Sequence, residues 1–202
     1  MLLRGRSGRC LAAGLVVTPA KKPGALETGA RIYLRHPTAR DRDEMIDRAR
    51  ASHRLHGSWV SAPSSPQSFA DWLKRMRQPT VESFLVCRSE DNAIVGVFTL
   101  SQIFRKGFQN AYMGYYAFEP FAGAGYMREG MRLTLRHTFR AMKLHRVEAN
   151  IQPGNDRSIR LAKKSGFRRE GFSPRYLKIA GRWRDHERWA MTAEDWRPIS
   201  AR

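Results

Sequence analysis

The chain has 202 residues, 42% of them hydrophobic and 10% aromatic, which suits one domain with its own core and excludes a disordered polymer. Its 37 Lys+Arg against 18 Asp+Glu give a net charge of +19, a surface that favours polyanions such as nucleic acid or a phosphate-rich cofactor. Two cysteines, Cys10 and Cys87, make no disulfide framework, the six histidines show no metal-ligand spacing, and no apolar run approaches the roughly 18 residues of a membrane span.

From the N terminus, MLLRGRSGRCLAAGLVV pairs a basic start with a short apolar stretch, as a signal peptide does, but no clean small-x-small site follows. Residues 1–30 are therefore expected to be a flexible basic extension of a domain over 31–197, with 198–202 as a tail. RIYLRHP (31–37) reads as the first strand. TARDRDEMIDRARASHRLH (38–56) reads as one helix, with a Thr38 cap, acids in its first turns and bases later, as the helix dipole favours. SPQSFADWLKRMRQ (65–78) puts Phe69, Trp72, Leu73 and Met76 on one helical face. ESFLVCRSE (82–90) and AIVGVFTLSQIF (93–104) are strand-like runs flanking Asp91-Asn92, a hairpin signal. AYMGYYAFEP (111–120) is a strand ended by Pro120. A helix from about Tyr126 to Lys143, the strand RVEANI (146–151) and the helix NDRSIRLAKKSG (155–166) follow. FRREGF and RYLKIAGRWRDHERWAMT close the chain as strands turning at Ala180-Gly181. The order β-α-α-β-β-β-α-β-α-β-β predicts a mixed α/β fold with an antiparallel front half.

FAGAGYM, residues 121–127, joins the strand 111–118 to the long helix. A helix start exposes unpaired N–H groups and a partial positive charge. Glycines before it let a ligand approach the backbone, and together these features make an anion site suited to phosphate. No acidic cap occupies the position. Taken alone, Gly123 and Gly125 serve an ordinary strand-to-helix turn as well. The turn is no Walker loop, since no Gly-Lys-Ser/Thr follows, and Arg128 stands where a dinucleotide fingerprint needs a third glycine.

With FAGAGYM, RVEANI, PGNDRSIRLAKKSGFRREG and GRWRDHERWAMT in view, the chain resembles the GNAT superfamily of acetyl-CoA-dependent N-acetyltransferases. Within it the resemblance is to ribosomal-protein-alanine N-acetyltransferases of the RimJ/RimL kind, over about residues 31–197. The most specific string is N-x-x-S-x-x-L-x-x-x-x-G-F-x-x-E-G, carried by Asn155, Ser158, Leu161, Gly166, Phe167, Glu170 and Gly171, together with W-R-D-H at 183–186. One departure is that Phe121 and Ala122 stand where the family usually places Gln or Arg.

The resemblance implies a GNAT-type α/β fold with helices on both faces of a mixed sheet. The sheet would splay between the fourth and fifth predicted strands, 111–118 and 146–151, to admit the pantetheine arm as an added strand. Acetyl-CoA is the implied cosubstrate, and no metal is implied. Tyr116, Ala117 and Phe118 would line the arm. The backbone of Ala122, Gly123, Ala124, Gly125, Tyr126 and Met127 would hold the pyrophosphate. Arg128, with Arg160, Lys163 or Lys164, would meet the remaining phosphate, although the lysines read equally as solvated helix residues. Glu170 matches the base that draws a proton from the amine, through water, and Ser158 a donor to the leaving thiolate. Asn155 would orient that region and touch the cofactor. Ser158 also reads as a local helix cap, and Glu170 as a counter-charge to Arg168 and Arg169. Cys87 reads as a buried inert thiol, which favours direct transfer in a ternary complex. His186 reads as structural.

Residues 157–188 hold eleven basic and three acidic residues, with Tyr176 and Trp183 among them. A cationic acceptor such as a polyamine or aminoglycoside would be repelled there unless an acidic pocket offsets the charge, whereas a protein N-terminus near ribosomal RNA would not. The expected acceptor is thus the α-amine of a protein, plausibly ribosomal, that begins with Ala, Ser or Thr. The alternatives are a small-amine or antibiotic acetyltransferase and a non-catalytic ribosome- or RNA-binding module. The loops 57–68 and 104–110 are expected to border the acceptor site. The expected setting is a reducing cytoplasm, away from membranes, with the chain as monomer or homodimer.

Overall fold

The computed structural model describes residues 22–197. Cys10 and the first part of the expected extension lie outside them. The end of that extension belongs to the domain: β1 (Glu27–Thr28) pairs antiparallel with β2 (Ile32–Arg35). Glu27 also accepts from the Arg136 Nε at 2.6 Å.

Next come α1 (Arg42–Ala51), α2 (His53–His56), α3 (Pro66–Met76), β3 (Glu82–Arg88), β4 (Ile94–Phe104) and β5 (Asn110–Ala117). Then follow α4 (Tyr126–Arg136), β6 (Arg146–Ile151), α5 (Asp156–Lys164), β7 (Arg168–Ile179) and β8 (Arg182–Thr192). The strands form one eight-stranded mixed sheet in the order β1-β2-β3-β4-β5-β6-β8-β7. Among the described residues only β5 and β6 pair in parallel. The α/β class and the splayed mixed sheet expected from sequence are both present.

Strand alternation sorts the core into two layers. Phe84, Val86, Phe98, Ala111, Met113, Val147, Ala149 and Ile151 point to the layer packed by α4 and α5. Leu85, Cys87, Val97 and Phe118 point to the opposite layer, where α1 and α3 contribute Met45, Ile46, Phe69, Trp72 and Leu73. Burying a side chain of that size stabilises by about 1.5–3 kcal/mol, so α3 is held by its apolar face more than by propensity. Gly130 lets α4 cross close to the sheet; a Cβ there would stand 2.8 Å from Phe98.

Two expected helices are interrupted. The segment 38–56 splits into a 3-10 turn at Ala39–Asp41, α1 and α2. The break falls at the fully buried Ser52, whose Oγ accepts the Glu119 N–H at 2.9 Å. The helix expected to reach Lys143 gives way after Arg136 to a π turn, His137–Ala141, where Thr138 Oγ1 donates to the Thr134 carbonyl at 2.7 Å.

Candidate active site

The site is set by where two strands stop pairing. β5 and β6 are bridged only from Asn110↔Arg146 to Tyr112↔Glu148, although β5 continues to Ala117 and β6 to Ile151. Beyond Tyr112 and Glu148 the strands part into a fork. A cleft of about 550 Å³ fills it, walled by β5, the 121–128 turn, α5 and the Leu55–Val60 segment.

The β5 wall offers backbone. The Phe118 N–H donates to the Val95 carbonyl at 2.9 Å, so alternate residues of this stretch turn their backbone to β4. Tyr115 and Ala117 therefore turn theirs to the fork. The Ala117 carbonyl is taken by His56, 2.8 Å from Nε2. A carbonyl only accepts, so the proton sits on Nε2. Burial pushes the His56 imidazole below its usual pKa, against the opposing pull of that bond. The Tyr115 N–H and C=O and the Ala117 N–H remain unpaired among the described residues. An extended chain laid in the fork has edge groups to meet.

The turn offers a cradle. Gly123 and Gly125 adopt φ of 87° and 85°, the left-handed region that suits glycine, and Gly125 is the N-cap of α4. Among the described residues, the N–H groups of Ala122, Gly123, Gly125, Tyr126 and Met127 donate to no protein group. The Ala124 N–H is engaged, donating to the Phe121 carbonyl at 3.3 Å. Glu129, the acid of the first helical turn, faces away from the cradle: Arg31 N–H and Nε donate to its carboxylate at 2.9 and 3.3 Å. Phe121 lies under the Arg48 guanidinium, 4.8 Å from its ring centre.

The opposite wall is α5. Asn155 caps it, its Oδ1 accepting the Ser158 N–H at 3.3 Å. Tyr115 reaches across the fork and its hydroxyl donates to the Ser158 carbonyl at 3.0 Å. No partner for the Ser158 hydroxyl is found among the described residues. Arg128, Arg157, Arg160 and Lys164 ring the cleft, and among the described residues none pairs with a carboxylate.

The fork thus brings together most of the residues expected from sequence. Tyr116, Ala117, Ala122, Gly123, Gly125, Met127, Arg128, Asn155 and Ser158 all line the cleft. Others do not. Phe118 is fully buried in the α1–α3 layer. Ala124 and Tyr126 stand behind the cradle, where Ala124 gives its carbonyl and Tyr126 its ring to Arg31. Lys163 projects off the cleft and Lys164 takes its place. Glu170 is also absent from the lining. Arg146 Nη1 donates to its carboxylate at 3.2 Å, Arg146 Nη2 makes a second contact, and Arg168 adds a bond at 3.3 Å. Arg146 above all holds Glu170 below the usual carboxylate range, so its carboxylate stands in an ion pair outside the cleft lining. Cys87 is buried, and burial pushes its thiol up to about 11, so it holds no thiolate for a covalent route. His186 is buried, with burial lowering its pKa, and its Nδ1 lies 3.0 Å from the Arg184 carbonyl, as a structural residue would. Among the described residues no group of His, Cys, Asp or Glu is placed to hold a metal. None of their helices is long and apolar enough to cross a membrane.

Sequence reasoning missed His56, Ser52 and Trp59. The first two tie the broken helix to the end of β5, and Trp59 roofs the cleft beside Gly154. No local pattern signals such contacts, which join positions 52–59 to positions 117–154.

A forked mixed sheet, an open helix start beside it and an arginine-rimmed mouth define an N-acetyltransferase. The chain belongs to the acetyltransferase (GNAT) domain family, which residues 31–168 match. It is 34% identical over 125 residues to the probable N-acetyltransferase YjcK of Bacillus subtilis, covering 62% of this chain and 69% of that one. It is 38% identical over 109 residues to the [ribosomal protein uS5]-alanine N-acetyltransferase of Escherichia coli, covering 54% of this chain and 56% of that enzyme. The chain thus spans little more than half the length of the second relative. Among solved structures, RimJ of Mycobacterium smegmatis in complex with CoA-disulfide superposes with a TM-score of 0.74 at 27% identity, covering 81% of this chain and 83% of that one.

Proposed function

We propose that this chain moves an acetyl group from acetyl-CoA to the N-terminal α-amine of a protein, most simply a ribosomal one, by direct attack in a ternary complex. The observation that carries the reading is the conjunction of the β5–β6 fork with the free N–H groups at 122–127. The fork takes the pantetheine arm along Tyr115 and Ala117. The cradle takes the pyrophosphate on the N–H groups of Ala122, Gly123, Gly125, Tyr126 and Met127, where the helix start favours negative charge. Arg128, Arg157, Arg160 and Lys164 meet the remaining phosphate, with Lys163 a more distant cation. Bound there, the cofactor supplies an activated acetyl thioester.

On the protein side, Ser158 offers a hydroxyl to the departing sulfur, and the Asn155 cap and the Tyr115 bond fix its position. The α-amine is the acceptor that needs least help. Its reference pKa of about 7.7–8.0 lies well below the roughly 10.4 of lysine. The RimJ relative in complex with CoA-disulfide and the uS5-alanine enzyme support this choice. So does the strongly basic surface, which suits a site of action on ribosomes in the cytoplasm.

The test is a melting-point and mass-spectrometric screen with acetyl-CoA, a panel of N-terminal peptides and a panel of small amines. Acetyl-CoA should raise the melting point by mass action, and a peptide with N-terminal Ala, Ser or Thr should gain one acetyl mass. Turnover of small amines alone would overturn the acceptor, and indifference to acetyl-CoA would overturn the reaction.

A further inference from the structure

We infer that the acceptor amine docks on the face of the fork turned away from α4 and α5, where Glu148 receives its ammonium and Asn150 orients it. This rests on the N-acetyl transfer proposed above and gives that reaction its base.

Position comes first. Tyr112↔Glu148 is the last bridge between β5 and β6, so Glu148 stands at the vertex where the strands part. An arm threaded into the fork brings its thioester toward that vertex. β6 alternates in burial: Val147, Ala149 and Ile151 face the α4–α5 core. Arg146, Glu148 and Asn150 therefore share the other face. Tyr112 and Gly114 of β5 lie on that face too. Gly114 is exposed, and a Cβ there would meet nothing within 4 Å, so room for a ligand lies beside the vertex. Tyr176 closes one side. Burial raises the Tyr112 phenol, and the neighbouring Tyr176 hydroxyl and the Glu148 charge push the same way.

Chemistry comes second. The Glu148 side chain is only 13% exposed. Arg146 Nε donates to its Oε1 at 2.9 Å, and no partner for Oε2 is found among the described residues. The Asn150 Oδ1 is buried with no partner among the described residues, a state that native structures seldom leave uncorrected. Residues i and i+2 on a strand face lie about 6.6 Å apart, a span that one amine between two acceptors bridges. An ammonium brings three donors to this pair. Its charge is met as well. Arg146 and Arg168 join Glu148, Glu170 and Asp195 in one network of two cations and three anions. Arg188, opposite Asn150 on β8, adds a third cation on this face, so the vertex is close to neutral in a chain of net charge +19.

The proton balance follows. Glu148 takes one proton from the ammonium, directly or through water, and releases it to solvent. The nitrogen lone pair forms a bond to the thioester carbon. Collapse breaks the C–S bond, nitrogen loses a second proton to solvent, and the departing thiolate gains one through the Ser158 hydroxyl, which is reprotonated from water. The sum is ammonium plus thioester giving amide, thiol and one proton.

The test is Glu148→Gln, assayed with acetyl-CoA and a hexapeptide bearing N-terminal alanine. Gln keeps the shape and a carbonyl for Arg146, while Arg146 keeps Glu170. The expected result is a loss of about 100-fold in kcat/KM for the peptide, shared between a higher peptide KM and a lower kcat, with the acetyl-CoA Kd within twofold of wild type. Asn150→Ala should raise the peptide KM about tenfold, again at constant acetyl-CoA Kd. A Glu148→Gln enzyme within threefold of a working wild type overturns this inference and leaves the proposed function standing. Equal loss of acetyl-CoA binding also overturns it, because Glu148 would then be structural. A wild-type enzyme that acetylates no amine brings down both.

Discussion

The two sides of the fork are made of different material. The cofactor side is main chain: the Tyr115 and Ala117 edge of β5 and the open N–H groups after Phe121. The acceptor side is side chain: Glu148, Asn150, Tyr112 and Tyr176, brought together by strand register and by the fold of the β7–β8 hairpin. A backbone site tolerates exchange of its side chains, so long as φ and the approach to the main chain are kept. On that ground the apolar side chains of Phe121 and Ala122 are compatible with a cradle made of backbone N–H groups. A side-chain site has no such latitude, and a single atom changed in Glu148 should be felt. The contrast predicts that damage on one side will leave the other side's binding intact.

The largest effect that would break the contrast concerns Gly123. Its φ of 87° is one that Asp tolerates better than most residues, and a Cβ there would meet nothing within 4 Å. Gly123→Asp should therefore fold. It also sets a carboxylate where the diphosphate belongs. The acetyl-CoA Kd should rise about 100-fold by calorimetry, about 2.7 kcal/mol, with the unliganded melting point little changed. Retained affinity would mean that the cofactor phosphates lie elsewhere.

A smaller effect sharpens the division of labour on α5. The α5 cap uses the Ser158 N–H and the Asn155 side chain, not the Ser158 hydroxyl. Ser158→Ala thus removes the hydroxyl and keeps the cap. We expect kcat to fall about tenfold with both Michaelis constants unchanged, the pattern of a group that acts late on the thiolate. Asn155→Ala should instead cost about 1 kcal/mol of stability, because the cap itself goes. If Ser158→Ala turns over normally, the thiolate takes its proton from water.

How much of this the sequence disclosed follows the same line. Gly123-Ala-Gly125 before a periodic run announced an open helix start without any tertiary knowledge, because glycine placement is local chemistry. The splay between β5 and β6 came from the family resemblance, and their parallel pairing from the structure. The break at Ser52 was not. Its cause is a bond to the Glu119 backbone, and residues 38–56 carry an unbroken helical pattern. The pair Glu148 and Asn150 read only as part of a strand. Their value comes from the position at which β5 stops pairing, and no spacing in RVEANI encodes that. Lys163 and Lys164 differ by one helical step, finer than periodicity resolves for a short helix capped at Asn155. The resemblance pointed to Glu170 because it matches the position of the base in RimL-like enzymes; in space its carboxylate pairs with Arg146 and Arg168.

Glu170→Gln is the mildest change, and it compares the two carboxylates that share Arg146. Arg146 holds the Glu170 carboxyl below its ordinary value. A carboxylate with a depressed folded-state pKa stabilises above the unfolded pKa, and that stabilisation is lost as pH falls through the folded value. The group is partly exposed and its ion pairs are screened, so at pH 7 the loss in Glu170→Gln should stay below about 1 kcal/mol. The melting-point gap to wild type should close below about pH 4, as the wild-type carboxylate protonates. Turnover at pH 7–8 should stay within twofold of wild type, since Glu148 keeps its own bond to Arg146 Nε. A tenfold loss of turnover with an unchanged melting point would make Glu170 the base. It would move the acceptor chemistry off the vertex, and the division between a main-chain face and a side-chain face would have to be redrawn around β7.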